Sequence, residues 1–79
     1  MKLPLSNISN GERVIVHEVL VSELKIKLME MGLVPGKALT VLFRAPLGDP
    51  IAVDIDGYVL SLRNDEAALV LVEQEMEST

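Results

Sequence analysis

The side chains that could carry chemistry in this sequence are one histidine and a closely spaced pair of aspartates. His17 is the only histidine, and it stands next to Glu18, so the two could supply half of a metal site. Ferrous iron sites usually combine two or more imidazoles with carboxylate, and a lone histidine is more often a surface residue of a strand. We therefore predict no metal ligand at His17.

The aspartates Asp54 and Asp56, just ahead of Gly57, faintly match the start of a calcium-binding loop. That loop would need further acidic residues where the sequence has Ala52 and Arg63. Alternation along a strand places the two carboxylates on one face, about 7 Å apart. We interpret them as solvated groups on a strand surface, and we predict no metal site there.

Catalytic machinery is not indicated elsewhere in the sequence. The chain has no cysteine, so a thiol nucleophile and a zinc-thiolate site are excluded. No serine lies in a nucleophile elbow, and the glycines fall at predicted turns rather than in a run that would cradle phosphate. A chain of 79 residues forms one small domain, with no second domain to desolvate its carboxylates. We therefore expect no enzyme activity, no catalytic residue and no cofactor.

Charge and hydropathy narrow the choice of partners. The net charge is −5 and the 7 lysines and arginines are scattered, whereas proteins that bind nucleic acid carry a basic face. The longest apolar run, Ala67 to Val72, is far shorter than the roughly 20 residues that span a bilayer. The N-terminus also lacks a signal-peptide pattern. These features predict a soluble cytoplasmic protein with no nucleic acid partner and no membrane insertion.

A single stretch, from Ser22 to Lys37, predicts a helix with its own start and stop. Ser22 is a good N-cap, and Leu24, Leu28 and Met31 recur at helical spacing on one face. Gly32 suits the left-handed position that ends a helix, with Leu33 packing back on Leu28. The following residues, Val34-Pro35-Gly36-Lys37, predict a type II turn.

The remainder of the chain predicts short strands. Val14 and Val16 would share a face of the first strand, and the opposite parity of Val19 predicts a bulge or bend near His17 and Glu18. In the next strand we expect Leu39, Val41 and Phe43 to point inward together. The predicted strands are 13–21, 38–44, 51–55, 58–63 and 68–72, with a hairpin turn at Asp56-Gly57 and a helical turn at 64–67.

This pattern predicts a mostly β protein: a small, closed or nearly closed barrel of about five strands with one short α-helix after the first strand. We place a single domain over residues 1–73 and an acidic, disordered tail over 74–79. Gly32, Gly36 and Gly57 are assigned to structural turns.

Apolar residues outside the predicted core indicate an interaction surface. Parity along the last strand turns Leu69 and Leu71 outward. Met29 falls at the margin of the apolar helix face, and Val34 with Pro35 forms a turn rigid enough to lose little entropy on docking. We predict that these five residues bind a partner, and weak self-association is compatible with the same surface.

The order and spacing of several segments resemble the FeoA family of ferrous iron transport accessory proteins. The segments are LxxMGLVPG from Leu28, APLGDP from Ala45, Gly57, and LRNDEA from Leu62. The chain departs from the family's usual pattern at Lys27, where arginine is usual, and at Met31, where leucine is usual. The resemblance covers the chain from about Leu3 to Glu73.

The resemblance implies an SH3-like barrel with the helix inserted between its first two strands. It also implies a cytoplasmic protein that acts with FeoB, the membrane ferrous iron transporter carrying a GTP-binding domain. The leading hypothesis is therefore an interaction module that docks on the transporter and modulates it. The alternative is an iron carrier or sensor that binds the metal through His17 and surface carboxylates.

Overall fold

The structure is a computed structural model that describes residues 1–75. Its elements in chain order are β1 Leu3–Pro4, a 3-10 turn Leu5–Asn7, β2 Arg13–Val19, α1 Lys25–Glu30, β3 Ala38–Arg44, β4 Ile51–Ile55, β5 Tyr58–Leu62, α2 Asn64–Ala67 and β6 Val70–Gln74. The mostly β class and the position of α1 after the first long strand agree with the sequence prediction.

The strands form a single antiparallel sheet in the order β1-β6-β2-β3-β4-β5. Six strands are present where about five were expected, because the short β1 pairs with β6 through Leu3 and Val72. The order has two ends, at β1 and at β5, so the sheet is not a closed barrel. Its inner face is lined by aliphatic side chains with no solvent exposure, among them Val14, Leu39, Val41, Ile51, Val53, Ile55, Leu62 and Val70.

A bulge lies in β2, as the parity of its valines predicts. The register with β6 shifts between Val16 and Glu18, and Val14, Val16 and Val19 are all buried. Because a bulge inserts one unpaired residue, it reverses the parity of the residues that follow, and so Val19 returns to the inner face.

A second bulge, in β3, overturns one expectation. The register with β4 shifts between Val41 and Phe43, so Phe43 does not continue the inward row of Leu39 and Val41. Phe43 is 58% exposed, and the prediction that it points inward is wrong. Simple alternation along the strand does not predict this position, because a bulge reverses the parity of the residues that follow it.

The helix α1 is shorter than predicted and begins later. The Ser22 hydroxyl oxygen does accept a hydrogen bond, from the Leu24 N–H at 3.1 Å, but Leu24 is the N-cap and α1 spans 6 residues. At the other end, the Leu33 N–H donates to the Leu28 oxygen at 3.2 Å and the Gly32 N–H donates to the Met29 oxygen at 3.0 Å. These two bonds form a Schellman motif, and both Leu28 and Leu33 are fully buried.

The last strand is displaced from its predicted position. Ala68 and Leu69 lie in the turn after α2, and β6 extends through Glu73 to Gln74. Of the predicted tail, 74–79, Gln74 therefore lies in a strand, and Glu75 Oε2 lies 2.8 Å from Arg13 Nε. Residues 76–79 lie outside the described residues.

Candidate interaction surface

The turn that carries Val34 and Pro35 is fixed to the sheet by backbone hydrogen bonds. The Lys37 N–H donates to the Val34 oxygen at 3.0 Å, which closes the turn, and Gly36 at its third position has φ +90°. The Gly36 N–H then donates to the Val16 oxygen at 2.8 Å, and the Val16 N–H donates to the Lys37 oxygen at 2.9 Å. Val34 is half-buried and Pro35 is exposed, so the turn presents a small apolar surface on a rigid support.

An ion pair ties this turn to the β4–β5 hairpin. Lys37 Nζ lies 2.6 Å from Asp56 Oδ2, and Asp56 sits in the hairpin loop with φ 51°. The hydrogen bond and the charge of Asp56 raise the pKa of Lys37. Asp54 Oδ1 accepts a hydrogen bond from the Gly57 N–H at 3.1 Å. Both aspartates therefore make contacts at the hairpin, and Asp56 is ion-paired rather than only solvated.

Met29, predicted to lie at the margin of the apolar helix face, contributes to the core. Its side chain is half-buried and packs against the buried cluster around Leu28. The exposed apolar side chain of the helix is instead Ile26, at 69% exposure. Ile26 lies off the face of Leu24 and Leu28, and that separation was the signal that could have identified it.

Leu69 and Leu71 are half-buried rather than fully outward. The Leu69 oxygen accepts from the Leu20 N–H at 2.8 Å, and Leu71 pairs with Glu18 across β2 and β6. Next to Leu20, Val21 is 89% exposed. The sequence predicted a strand over 13–21, but β2 ends at Val19. The exposed apolar residues Leu20 and Val21 after the strand were therefore not predicted.

The structure does not bring the five predicted surface residues into one patch. Gly36 and Lys37 meet β2 on the side where β3 pairs, while Leu71 meets it on the side where β6 pairs. The turn and the leucines therefore border β2 from opposite sides, with the exposed residues His17 and Glu18 between them.

His17 has one acidic neighbour across the sheet. His17 Nδ1 lies 3.3 Å from Glu73 Oε1, and both side chains are partly exposed. Within residues 1–75, no group of three or more His, Cys, Asp or Glu side chains could enclose a metal ion. One imidazole and one carboxylate supply two donors, which is fewer than a transition metal site normally needs.

An open cleft of about 720 Å³ lies between α1, α2 and the end of β5. Lys27 Nζ lies 3.6 Å from Glu66 Oε2 and so connects the two helices. The start of α2 is fixed in turn, because the Arg63 N–H donates to Glu66 Oε1 at 2.9 Å. The cleft is lined by Leu24, Lys27, Asp49, Pro50, Ser61, Arg63, Asp65 and Glu66.

The chain matches a known protein family over most of its length. The family model for the FeoA domain matches residues 3–74, which is nearly the whole sequence. The chain belongs to the FeoA family. Among the residues that the structure describes, no helix is long and apolar enough to cross a membrane.

Relatives of this FeoA chain agree in sequence and in fold. The NMR structure of a FeoA-like protein from Clostridium acetobutylicum is 37% identical and superposes with a TM-score of 0.89, covering 99% of this chain and 92% of that one. A crystal structure of Stenotrophomonas maltophilia FeoA, described as a prokaryotic SH3 domain protein complexed with zinc, is 26% identical with a TM-score of 0.78. The match covers 92% of this chain and 89% of that one. The fold is therefore SH3-like.

A curated relative links the family to a transporter. The Fe(2+) transport protein A/Fe(2+) transporter FeoB fusion protein of Porphyromonas gingivalis is 47% identical over 47 residues. That match spans 60% of this chain and 6% of the fusion protein. The chain therefore corresponds to a small part of that relative.

Proposed function

We propose that this chain is a cytoplasmic accessory protein of ferrous iron transport that docks on the cytoplasmic part of a FeoB-type membrane transporter and modulates it. It acts as a binding module without catalytic residues of its own. The observation that carries the proposal is the fusion protein of Porphyromonas gingivalis, in which a homologous segment and a FeoB transporter share one polypeptide. Fusion keeps two domains at high effective concentration, which is useful where they act together.

Features of the surface support a docking role. Val34 and Pro35 are held in place before any partner arrives, because their turn is bonded to β2 and β4–β5 through Val16 and Asp56. A rigid apolar turn loses little conformational entropy on binding. Met29 of α1 has a flexible thioether, a group that adapts to imperfect pockets. We propose that these three residues contact the transporter, and that Leu69 and Leu71 form a second contact on the other side of β2.

Capture of the purified chain by the cognate transporter in detergent, with and without guanine nucleotide, tests the proposal. Val34→Glu places a charge on the proposed contact, and we expect it to abolish capture while circular dichroism stays unchanged. Thr40→Glu is the matched control, because Thr40 is also half-buried but lies in β3 away from the turn. Failure of the unmodified chain to bind would overturn the proposal.

A second candidate function is metal binding at the sheet surface. The 3.3 Å approach of His17 Nδ1 to Glu73 Oε1 is the observation that favours it. The zinc complex of the Stenotrophomonas maltophilia protein gives it further support. Titration calorimetry with Fe(II) or Mn(II) separates the two functions: tight one-to-one binding that is lost in both His17→Ala and Glu73→Gln would favour this candidate.

A further inference from the structure

The two ends of the sheet differ in how they resist pairing with another chain. Native edge strands are usually short, charged, bulged or interrupted by proline. The end at β1 follows this pattern, since it has 2 residues and includes Pro4. The end at β5 does not: its 5 residues, YVLSL, carry no charge and no proline, and they pair with β4 in continuous register.

The hydrogen-bond pattern of the hairpin shows which groups of β5 face the free side. The loop Asp56-Gly57 joins the facing pair Ile55 and Tyr58. In a two-residue hairpin of this kind that closing pair exchanges hydrogen bonds, and bonded and non-bonded pairs then alternate. The bonded residues of β5 are therefore Tyr58, Leu60 and Leu62.

Val59 and Ser61 fall at the intervening positions, opposite Asp54 and Ala52. Their backbone N–H and C=O groups point away from β4, toward the free edge. Over residues 1–75, neither residue makes a backbone hydrogen bond outside the sheet ladder. The edge thus presents two donors and two acceptors at the spacing of an extended chain.

The cleft beside α1 gives access to this edge at one end. Ser61 lines the cleft on the strand side, and Leu24 and Lys27 line it on the helix side. At the opposite end of β5, the Tyr58 hydroxyl oxygen lies 3.0 Å from where a Cβ on Gly32, just after α1, would stand. A segment entering the cleft would therefore reach Ser61 first and Val59 next.

We propose that the β5 edge binds one extended segment of a partner polypeptide, which adds a strand to the sheet at Val59 and Ser61. This mode of recognition takes its affinity from main-chain hydrogen bonds. The partner is the transporter, so the inference rests on the proposed function and names the kind of segment it would recognise.

The shape of the cleft selects a single segment over a second folded copy of this chain. A second copy would bring its own β4 alongside its β5, whereas Leu24 and Lys27 already line the cleft opposite Ser61. A lone strand needs only the space next to β5, about 5 Å from strand to strand.

The walls also indicate the composition of that segment. Leu24 lines the cleft on the helix side, and Leu60 on the inner face of β5 is half-buried against the core, so side chains of the segment that are directed inward should be apolar. The open end carries Arg63 and Asp65, which suit a polar or charged residue at the end of the segment.

Amide hydrogen exchange on the isotope-labelled chain, free and bound to the unlabelled transporter in detergent, tests strand addition directly. We expect the Val59 and Ser61 amides to exchange at least about tenfold more slowly in the complex. The Gly11 N–H, which already donates to Val41 across the sheet, is the internal reference and should not change. Docking through side chains elsewhere would leave Val59 and Ser61 unprotected.

Substitution of Ser61 gives an independent readout. Ser61→Pro removes a donor that β4 does not use, and we expect it to abolish capture by the transporter, whereas Ser61→Ala retains the N–H and should bind normally. Exchange on the unmodified chain decides the matter if the proline variant does not fold. Normal binding by a folded Ser61→Pro, or unprotected amides in a complex that does form, overturns strand addition and leaves the proposed function standing. Absence of any complex overturns both.

Discussion

The hydroxyl oxygen of Tyr58 lies 3.0 Å from the point where a Cβ on Gly32 would stand. Gly32 also has φ +105°, a conformation that L-residues with a Cβ rarely adopt. Two features therefore favour glycine at position 32: the positive φ of its own backbone and the nearby Tyr58 side chain from β5.

Gly32→Ala should lower the free energy of unfolding by at least the 1–2 kcal/mol typical of a left-handed residue. Gly11→Ala is the matched control, because Gly11 has φ +88° but no atom within 4 Å of the added Cβ. Urea unfolding measures both. Combining Gly32→Ala with Tyr58→Phe, which removes the hydroxyl, should recover only the steric part of the loss, and an unchanged midpoint for Gly32→Ala would contradict the structure.

The bulge in β3 predicts opposite responses at neighbouring positions. Val41 is fully buried, so Val41→Ala should destabilise the fold by about 2 kcal/mol. Phe43→Ser should change stability by less than about 1 kcal/mol, although phenylalanine is the larger residue. Urea midpoints of the two variants decide, and a larger loss at Phe43 would restore the inward position that the sequence suggested.

The Lys37–Asp56 pair predicts a loss of stability in alkaline solution. The pKa of Lys37 is raised above its ordinary value of 10.5 by the hydrogen bond and charge of Asp56. Linkage then makes the contribution complete below 10.5, and it is lost as the pH rises through the higher pKa of the folded state. The urea midpoint of the wild type should fall more steeply above pH 10.5 than that of Lys37→Met. Parallel curves would show that the pair does not contribute.

The hydrogen bonds of Glu12 predict a loss of stability in acid solution. Its pKa is lowered from 4.5 because its carboxylate accepts from the Ser9 N–H and from the Gln74 side chain. The contribution is therefore present above pH 4.5 and is lost as the pH falls through the lower pKa of the folded state. Glu12→Gln should flatten this part of the stability curve. If the variant follows the wild type through this range, other carboxylates cause the acid transition.

His17→Ala should leave both folding and iron uptake in cells unchanged. The imidazole is partly exposed and has one carboxylate neighbour, Glu73, so its removal breaks no buried contact. Uptake complementation in a strain lacking the gene measures the effect, with Val34→Glu as the variant expected to fail. A folded His17→Ala protein that no longer supports uptake would favour the metal-binding function.

Local sequence signals predicted the turns well, and long-range relationships poorly. The hairpin at Asp56-Gly57 and the helix stop at Gly32 depend on backbone angles that a few residue types adopt, so their sequence carries the signal. The position of Phe43 depends on a bulge in the pairing of β3 with β4. Alternation within β3 alone does not predict that bulge.

The candidate surface shows the same division. The turn at Val34 and Pro35 was predicted because proline and glycine mark a rigid turn. The cleft at Ser61 was not found, since its walls are far apart in sequence, at Leu24 and Arg63, and meet only through the fold.

The pairing of β1 with β6 also bears on how this domain can be joined to others. Leu3 faces Val72 in an antiparallel register, so the chain enters and leaves the sheet on adjacent strands at the same side of the molecule. An insertion into a surface loop of a host protein would then need to open that loop by only about one strand spacing, near 5 Å. With its two ends this close together, the domain could be appended to another protein or inserted into one of its loops while the strand order of its core stays the same.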